Sequence, residues 1–149
     1  MNIEIAAICD AATANGMGGR LNILGAFDRV FAKFPFVIPQ CSAAFRIRYQ
    51  RAEVGVHKLV LSIEDVCGHN IVPAMESQIP FEQVATGFDT AALNLVLNMQ
   101  RLKIERPDKY MVRLIIDDEE YIALPLYVLE DPRLSNQPKP PAAENERPN

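Results

Sequence analysis

Residues 91–129 read AALNLVLNMQRLKIERPDKYMVRLIIDDEEYIALPLYVL, and the alternation in this stretch decides the fold class. Leu93, Leu95, Leu97 and Met99 share one phase, with Asn94, Asn98 and Gln100 between them. A strand with one buried and one wet face needs that two-residue period. Leu102-Lys103-Ile104 extends the run, and Glu105-Arg106-Pro107-Asp108-Lys109 breaks it. Tyr110 opens a second alternating run through Val112, Leu114 and Ile116. A tyrosine directly after a Pro-Asp corner predicts a tyrosine corner, its hydroxyl bonding backbone between Leu102 and Pro107 as the chain crosses between sheets. Asp117-Asp118-Glu119 supplies the next turn, with Asp118 in a left-handed conformation that Asp tolerates better than most residues. Ile122, Leu124, Leu126 and Val128 then alternate back. Three successive strands of this kind are the closing half of a β-sandwich.

Composition agrees with one such domain. The chain has 149 residues, 49% hydrophobic and 23% charged, which is globular rather than disordered. No Trp is present, so Leu, Ile, Val and Ala must build most of the core. A net charge of −4 offers no domain-wide basic field for nucleic acid or an anionic membrane. The first residues carry no basic segment, Glu4 interrupts any apolar one, and no run approaches the roughly 20 apolar residues that span a bilayer. Cys9, Cys41 and Cys67 are odd in number and fit free thiols in a reducing cytoplasm.

Outward from the deciding stretch, Ile3, Ile5, Ala7 and Cys9 form one face of a first strand, apolar enough on both faces to lie inside a sheet. Residues 11–19 read as a loop with Asn15-Gly16 and Gly18-Gly19 turn signals. Leu21 to Phe27 alternates again, and Gly25 in mid-strand marks a bulge or a close approach. Phe31 to Pro39 reads as an apolar crossover loop. Cys41, Ala43, Phe45, Ile47 and Tyr49 make the clearest alternation of the first half, and His57, Leu59, Leu61 and Ile63 follow as a hairpin partner. Ile71-Val72 and Ile79 to Val84 are weaker strands, the second held to an edge by Pro80. The expectation is an all-β, single-domain antiparallel β-sandwich, immunoglobulin-like or jelly-roll, of eight or nine strands and no helix. It spans 1–130, and residues 131–149, with five of the eleven prolines, form a disordered tail.

Cys9-Asp10-Ala11-Ala12, then Leu21-Asn22-Ile23-Leu24-Gly25-Ala26-Phe27-Asp28, then Pro39-Gln40-Cys41, resemble a family of short bacterial proteins of unknown function. The likeness runs from about Met1 to Val128. It implies a bacterial β-sandwich and carries over no activity, cofactor or catalytic residue.

Chemistry has few places to start. Cys9, Cys41, Cys67, His57, His69 and Asp65 are the only metal-ligand candidates, and a single C-x-H pair at Cys67 and His69 has no second pair at zinc-finger spacing. No metal or cofactor is expected. His57 shares phase with Leu59 and reads as a satisfied histidine at the sandwich rim, and no G-x-S-x-G is present. Asn15 to Gly19 precedes a strand, not a helix, so it is a turn rather than a phosphate cradle. The acids 117–120 lack the spaced oxygen ligands of a calcium loop.

Two surface features remain. Arg46, Arg48 and Arg51 lie along one outer face, with Lys58 on the partner strand, as a basic patch or simply a solvated face. Tyr121 and Tyr127 occupy the outer phase of a last strand at a sheet edge, where tyrosines favour contact with a partner. These five residues are the expected interaction surface of a non-enzymatic, cytoplasmic binding module that takes a protein partner or a second copy of itself. The competing class is a small enzyme using a cysteine and a histidine.

Overall fold

The computed structural model describes residues 1–15 and 19–135, with side chains to Leu134. Nine strands build it: β1 (Asn2–Ala14), β2 (Leu21–Ala26), β3 (Arg29–Ala32), β4 (Phe36–Gln50), β5 (Gly55–Glu64), β6 (Met75–Phe81), β7 (Thr90–Ile104), β8 (Asp108–Ile116) and β9 (Glu119–Glu130). They form two sheets, ordered β2-β1-β4-β7 and β3-β9-β8-β5-β6. Every neighbouring pair is antiparallel except β3 and β9, which run parallel.

The connectivity decides between the two expected sandwiches. β4 and β7 pair in one sheet, while β9, β8, β5 and β6 lie side by side in the other. That is the arrangement of the B and E strands against G, F, C and C′ in immunoglobulin-type sandwiches. Tyr110, at the start of β8, occupies the tyrosine-corner position. It is 2% exposed, and its hydroxyl donates to Arg106 O at 2.7 Å. Val112, Leu114 and Ile116 point inward from the same strand and are buried. They meet Phe45, Ile47 and Tyr49 of β4 and Leu61 and Ile63 of β5 in one core cluster.

Several expectations are corrected. β4 and β5 are not a hairpin: β4 pairs with β1 and β7, and β5 pairs with β6 and β8. A single turn of 3-10 helix, Arg51–Glu53, carries the chain from sheet to sheet, held by Gln50 N–H donating to Glu53 Oε2 at 2.9 Å. Residues 11–14 continue β1 instead of looping, and the interval from Phe31 to Pro39 holds β3's end and β4's start. Pro39 survives inside β4 because its missing N–H coincides with an irregularity. It lies between the pairs Ile38↔Leu102 and Gln40↔Gln100, facing Arg101, whose φ is 54°. Both strands change buried phase there, from Ile38 to Cys41 and from Met99 to Leu102.

A bulge between Ile3 and Ile5 likewise splits the expected face of β1, so Ile3 packs on the core and Ile5 is exposed. Gly25 is a close approach: a Cβ there would meet Asp10 Oδ2 at 2.2 Å, and its φ is 66°. Ile71-Val72 forms no strand. The second weak strand is β6, four residues earlier at its start than expected, and it does lie at an edge. Asp117 and Asp118, at φ 49° and 66°, form the expected left-handed two-residue turn.

The two lateral sides of the sandwich differ. On one, Phe27 N–H donates to Ile8 O at 2.9 Å and Tyr127 N–H to Asp28 O at 2.8 Å, stitching the sheets together before β3 runs along β9. β9 is therefore an interior strand, not the edge its position in the sequence implies. On the other side β7 and β6 end their sheets. Of the expected tail, Asp131 is buried with its N–H on Ala32 O, and Pro132–Ser135 make one helical turn, α1. The remainder of the tail, and Gly16 to Gly18 of the expected turn, lie outside the described residues.

Candidate functional site

The two histidines stand near opposite ends of β5. At the start of the strand, His57 Nδ1 lies 2.5 Å from Asp117 Oδ2 and Nε2 lies 2.5 Å from Glu53 O. Both neighbours accept only, so both ring nitrogens donate, and that requires the imidazolium. Burial pushes its pKa down, but the Asp117 carboxylate and the Glu53 carbonyl outweigh it and the net direction is up. The hydrogen bond from His57 holds Asp117 below the usual carboxylate range, with help from Lys58 N–H. Glu53 is also lowered, first by the Met1 amino group 2.5 Å from its Oε1. The ring stacks on buried Phe81 at 4.4 Å, and Phe81 in turn on Tyr49 at 4.8 Å. His57 is the satisfied rim histidine that its phase implied. With both nitrogens donating it has no lone pair for base work.

Beyond the far end of β5 the arrangement is looser. Asp65 Oδ1 accepts N–H from Cys67 at 2.9 Å and from His69 at 3.0 Å. Its Oδ2 faces Arg106 at 3.2 Å and His69 Nδ1 at 3.7 Å. Hydrogen bonding from His69 N–H is the main reason the Asp65 pKa is lowered. The ligand atoms of Asp65, Cys67 and His69 all lie within 4.8 Å of one another, and Cys67 and His69 are exposed. Beside this turn opens a cleft of about 460 Å³ lined by Asp65, Asn70, Lys103, Arg106 and Tyr110 among others. The other thiols are unavailable: Cys9 and Cys41 are buried, and burial pushes Cys41 up to about 11.

The five expected interaction residues do not form one surface. Arg46 and Arg48 share the outer face of β4, and both bind Glu4. They also donate to Asn94 Oδ1 and Thr90 Oγ1. Arg51 leaves that face and holds a loop, donating to the carbonyls of Val84, Ala85 and Phe88. Lys58 lies in the other sheet, near Glu76. The β8–β9 irregularity beside Leu114 turns Tyr121 against the core cluster, while Tyr127 keeps the outer phase under the Lys109 ammonium.

What sequence reasoning passed over is the free side of β7. Its first eleven residues, Thr90 to Gln100, carry no charge, no Pro and no Gly. Only β4 pairs with it among the described residues. The signal was present as a missing gatekeeper: edge strands ordinarily carry Lys, Pro or a bulge, and here Arg101 and Lys103 protect only the last third.

Strand order, tyrosine corner and core together define a two-sheet antiparallel sandwich with one parallel edge pair. Residues 4–129 match a family of unknown function (DUF6941), and the chain belongs to that family. No curated protein and no solved structure matches it. No helix among the described residues is long and apolar enough to cross a membrane.

Proposed function

We propose that the chain is a non-enzymatic interaction module that takes a strand of a second polypeptide along the free edge of β7. The uncharged run from Thr90 to Gln100 carries this assignment. A strand paired on one side only presents a row of backbone donors and acceptors, and β-strand addition satisfies them while side-chain contacts set specificity. The seam beneath that edge is apolar, lined by Leu95, Leu97, Met75 and Ile79, so an added strand also covers hydrophobic surface. Three free thiols fit a reducing, cytoplasmic setting for the encounter.

The test combines light scattering with a photocrosslinking side chain at exposed Gln100, in the native host. The expected result is a self-associated chain or a discrete crosslinked adduct, lost in Val96→Lys, which sets a charge on the outer phase of β7. A monomer with no adduct sensitive to Val96→Lys overturns the assignment.

One observation favours an enzyme instead: exposed Cys67 and His69 share a turn beside the 460 Å³ cleft. If His69 activates the thiol, iodoacetamide alkylation of Cys67 slows in His69→Ala. Equal rates remove that reading.

A further inference from the structure

We infer that Asp65, Cys67 and His69 form a binding site for a borderline-soft divalent cation of the Zn²⁺ class, with three protein ligands and one open position. The three residues supply the three ligand chemistries that zinc accepts: carboxylate oxygen, thiolate sulfur and imidazole nitrogen. They follow one another at every second position, and Gly68, at φ 81°, reverses the chain between the sulfur and the nitrogen. A left-handed residue there lets Cys67 and His69 share the carboxylate's side of the turn.

The turn is built before any ion arrives. Asp65 Oδ1 is occupied by the N–H groups of Cys67 and His69, which fixes the carboxylate and directs Oδ2 toward the imidazole. Asp65 N–H donates to His69 O at 2.9 Å, Gly68 N–H to Asp65 O at 3.0 Å, and Ile71 N–H to Ile63 O at 2.9 Å. An Asx turn alone accounts for Oδ1; it does not require a thiol and an imidazole at the two following odd positions. Tetrahedral zinc bonds of 2.0–2.3 Å put ligand atoms about 3.3–3.7 Å apart. The cluster already lies within 4.8 Å, and side-chain rotation of two exposed residues closes the difference.

Charge also balances. A thiolate and a carboxylate neutralise a dication, which releases Arg106 from its 3.2 Å contact with Oδ2 toward the cleft. The vacant coordination position then faces solvent at the mouth of that cleft, where water or a partner's donor group completes the shell. The site lies at the far end of β5 from His57 and does not involve the β7 edge, so the two proposals fail separately.

Cobalt(II) titration of the untagged full chain tests it, with Zn²⁺ as competitor. The expected result is one Co²⁺ per chain with a thiolate-to-cobalt charge-transfer band that Zn²⁺ abolishes. Cys67→Ser removes the band, and His69→Ala weakens binding by about tenfold or more, with unchanged melting temperatures because both side chains are exposed. Asp65→Asn keeps an acceptor for the turn and weakens binding. No band at millimolar cobalt overturns the site. A band retained at wild-type affinity in His69→Ala overturns it too, since that is a lone thiol.

Discussion

His57 and His69 each have an aspartate beside them, and the two ends of β5 use the pair differently. At the first end the carboxylate is 2.5 Å from the ring, the other ring nitrogen is bonded, and an aromatic stack lies against one face. At the second end the distance is 3.7 Å and the side chain of His69 is 80% exposed. The same two residue types therefore give a structural clamp where a core aromatic supports them, and an open ligand set where only a turn does. Burial and the number of occupied lone pairs make the difference, not residue identity.

The comparison breaks most severely at Phe81. Phe81→Ala removes the ring under both His57 and Tyr49 and should cost about 3–5 kcal/mol by denaturant titration; a loss near zero would show that the clamp does not depend on its stack. His57→Ala should cost about 1–2 kcal/mol, a charged hydrogen bond discounted for the exposed carboxylate.

The pH dependence follows from the directions of the shifts. His57 has a raised folded pKa, so its contribution is complete below the unfolded value of 6.5 and is lost as pH rises through the folded value. Asp117 is lowered, so its contribution is present above 3.8 and is lost as pH falls through the folded value. Stability should therefore decline as pH rises above 6.5 in the wild type, and His57→Gln should flatten that decline in a melting series. At the other end, Tyr110→Phe should cost about 0.5–1.5 kcal/mol, the net value of its bond to Arg106 O. Smallest of all, His69→Ala should stay within about 0.5 kcal/mol in metal-free buffer, as exposed positions do.

Much of this architecture is legible in the chain, because burial of one strand face writes itself as alternation. β7, β8, β9 and the Tyr110 corner follow from that rule and from one Pro-Asp corner. The false hairpin of β4 and β5 shows its limit: Glu53-Val54-Gly55 turns a chain equally well within a sheet or between sheets, and alternation is blind to which partner a strand chooses. Bulges hide for a related reason. Ile5, Pro39 and Tyr121 sit where the period slips, and a slip is visible only once the neighbouring strand is in place. The site was partly legible. Asp65, Cys67 and His69 are neighbours in sequence, whereas the His57–Asp117 pair joins residues 60 apart and required the fold.

The parallel pairing of β3 with β9 has a consequence for the order of assembly. It joins Arg29 to Tyr127 and Ala32 to Glu130, contacts between the first quarter of the chain and its last described strand. Closing so long a loop costs entropy that no local contact returns beforehand. On a ribosome delivering residues from the N-terminus, Val30 and Phe31 wait without a partner strand until β9 has emerged, while β1, β2 and β4 can already pair. The nascent chain thus carries a short strand whose backbone stays unpaired until β9 has followed it out, some ninety residues later.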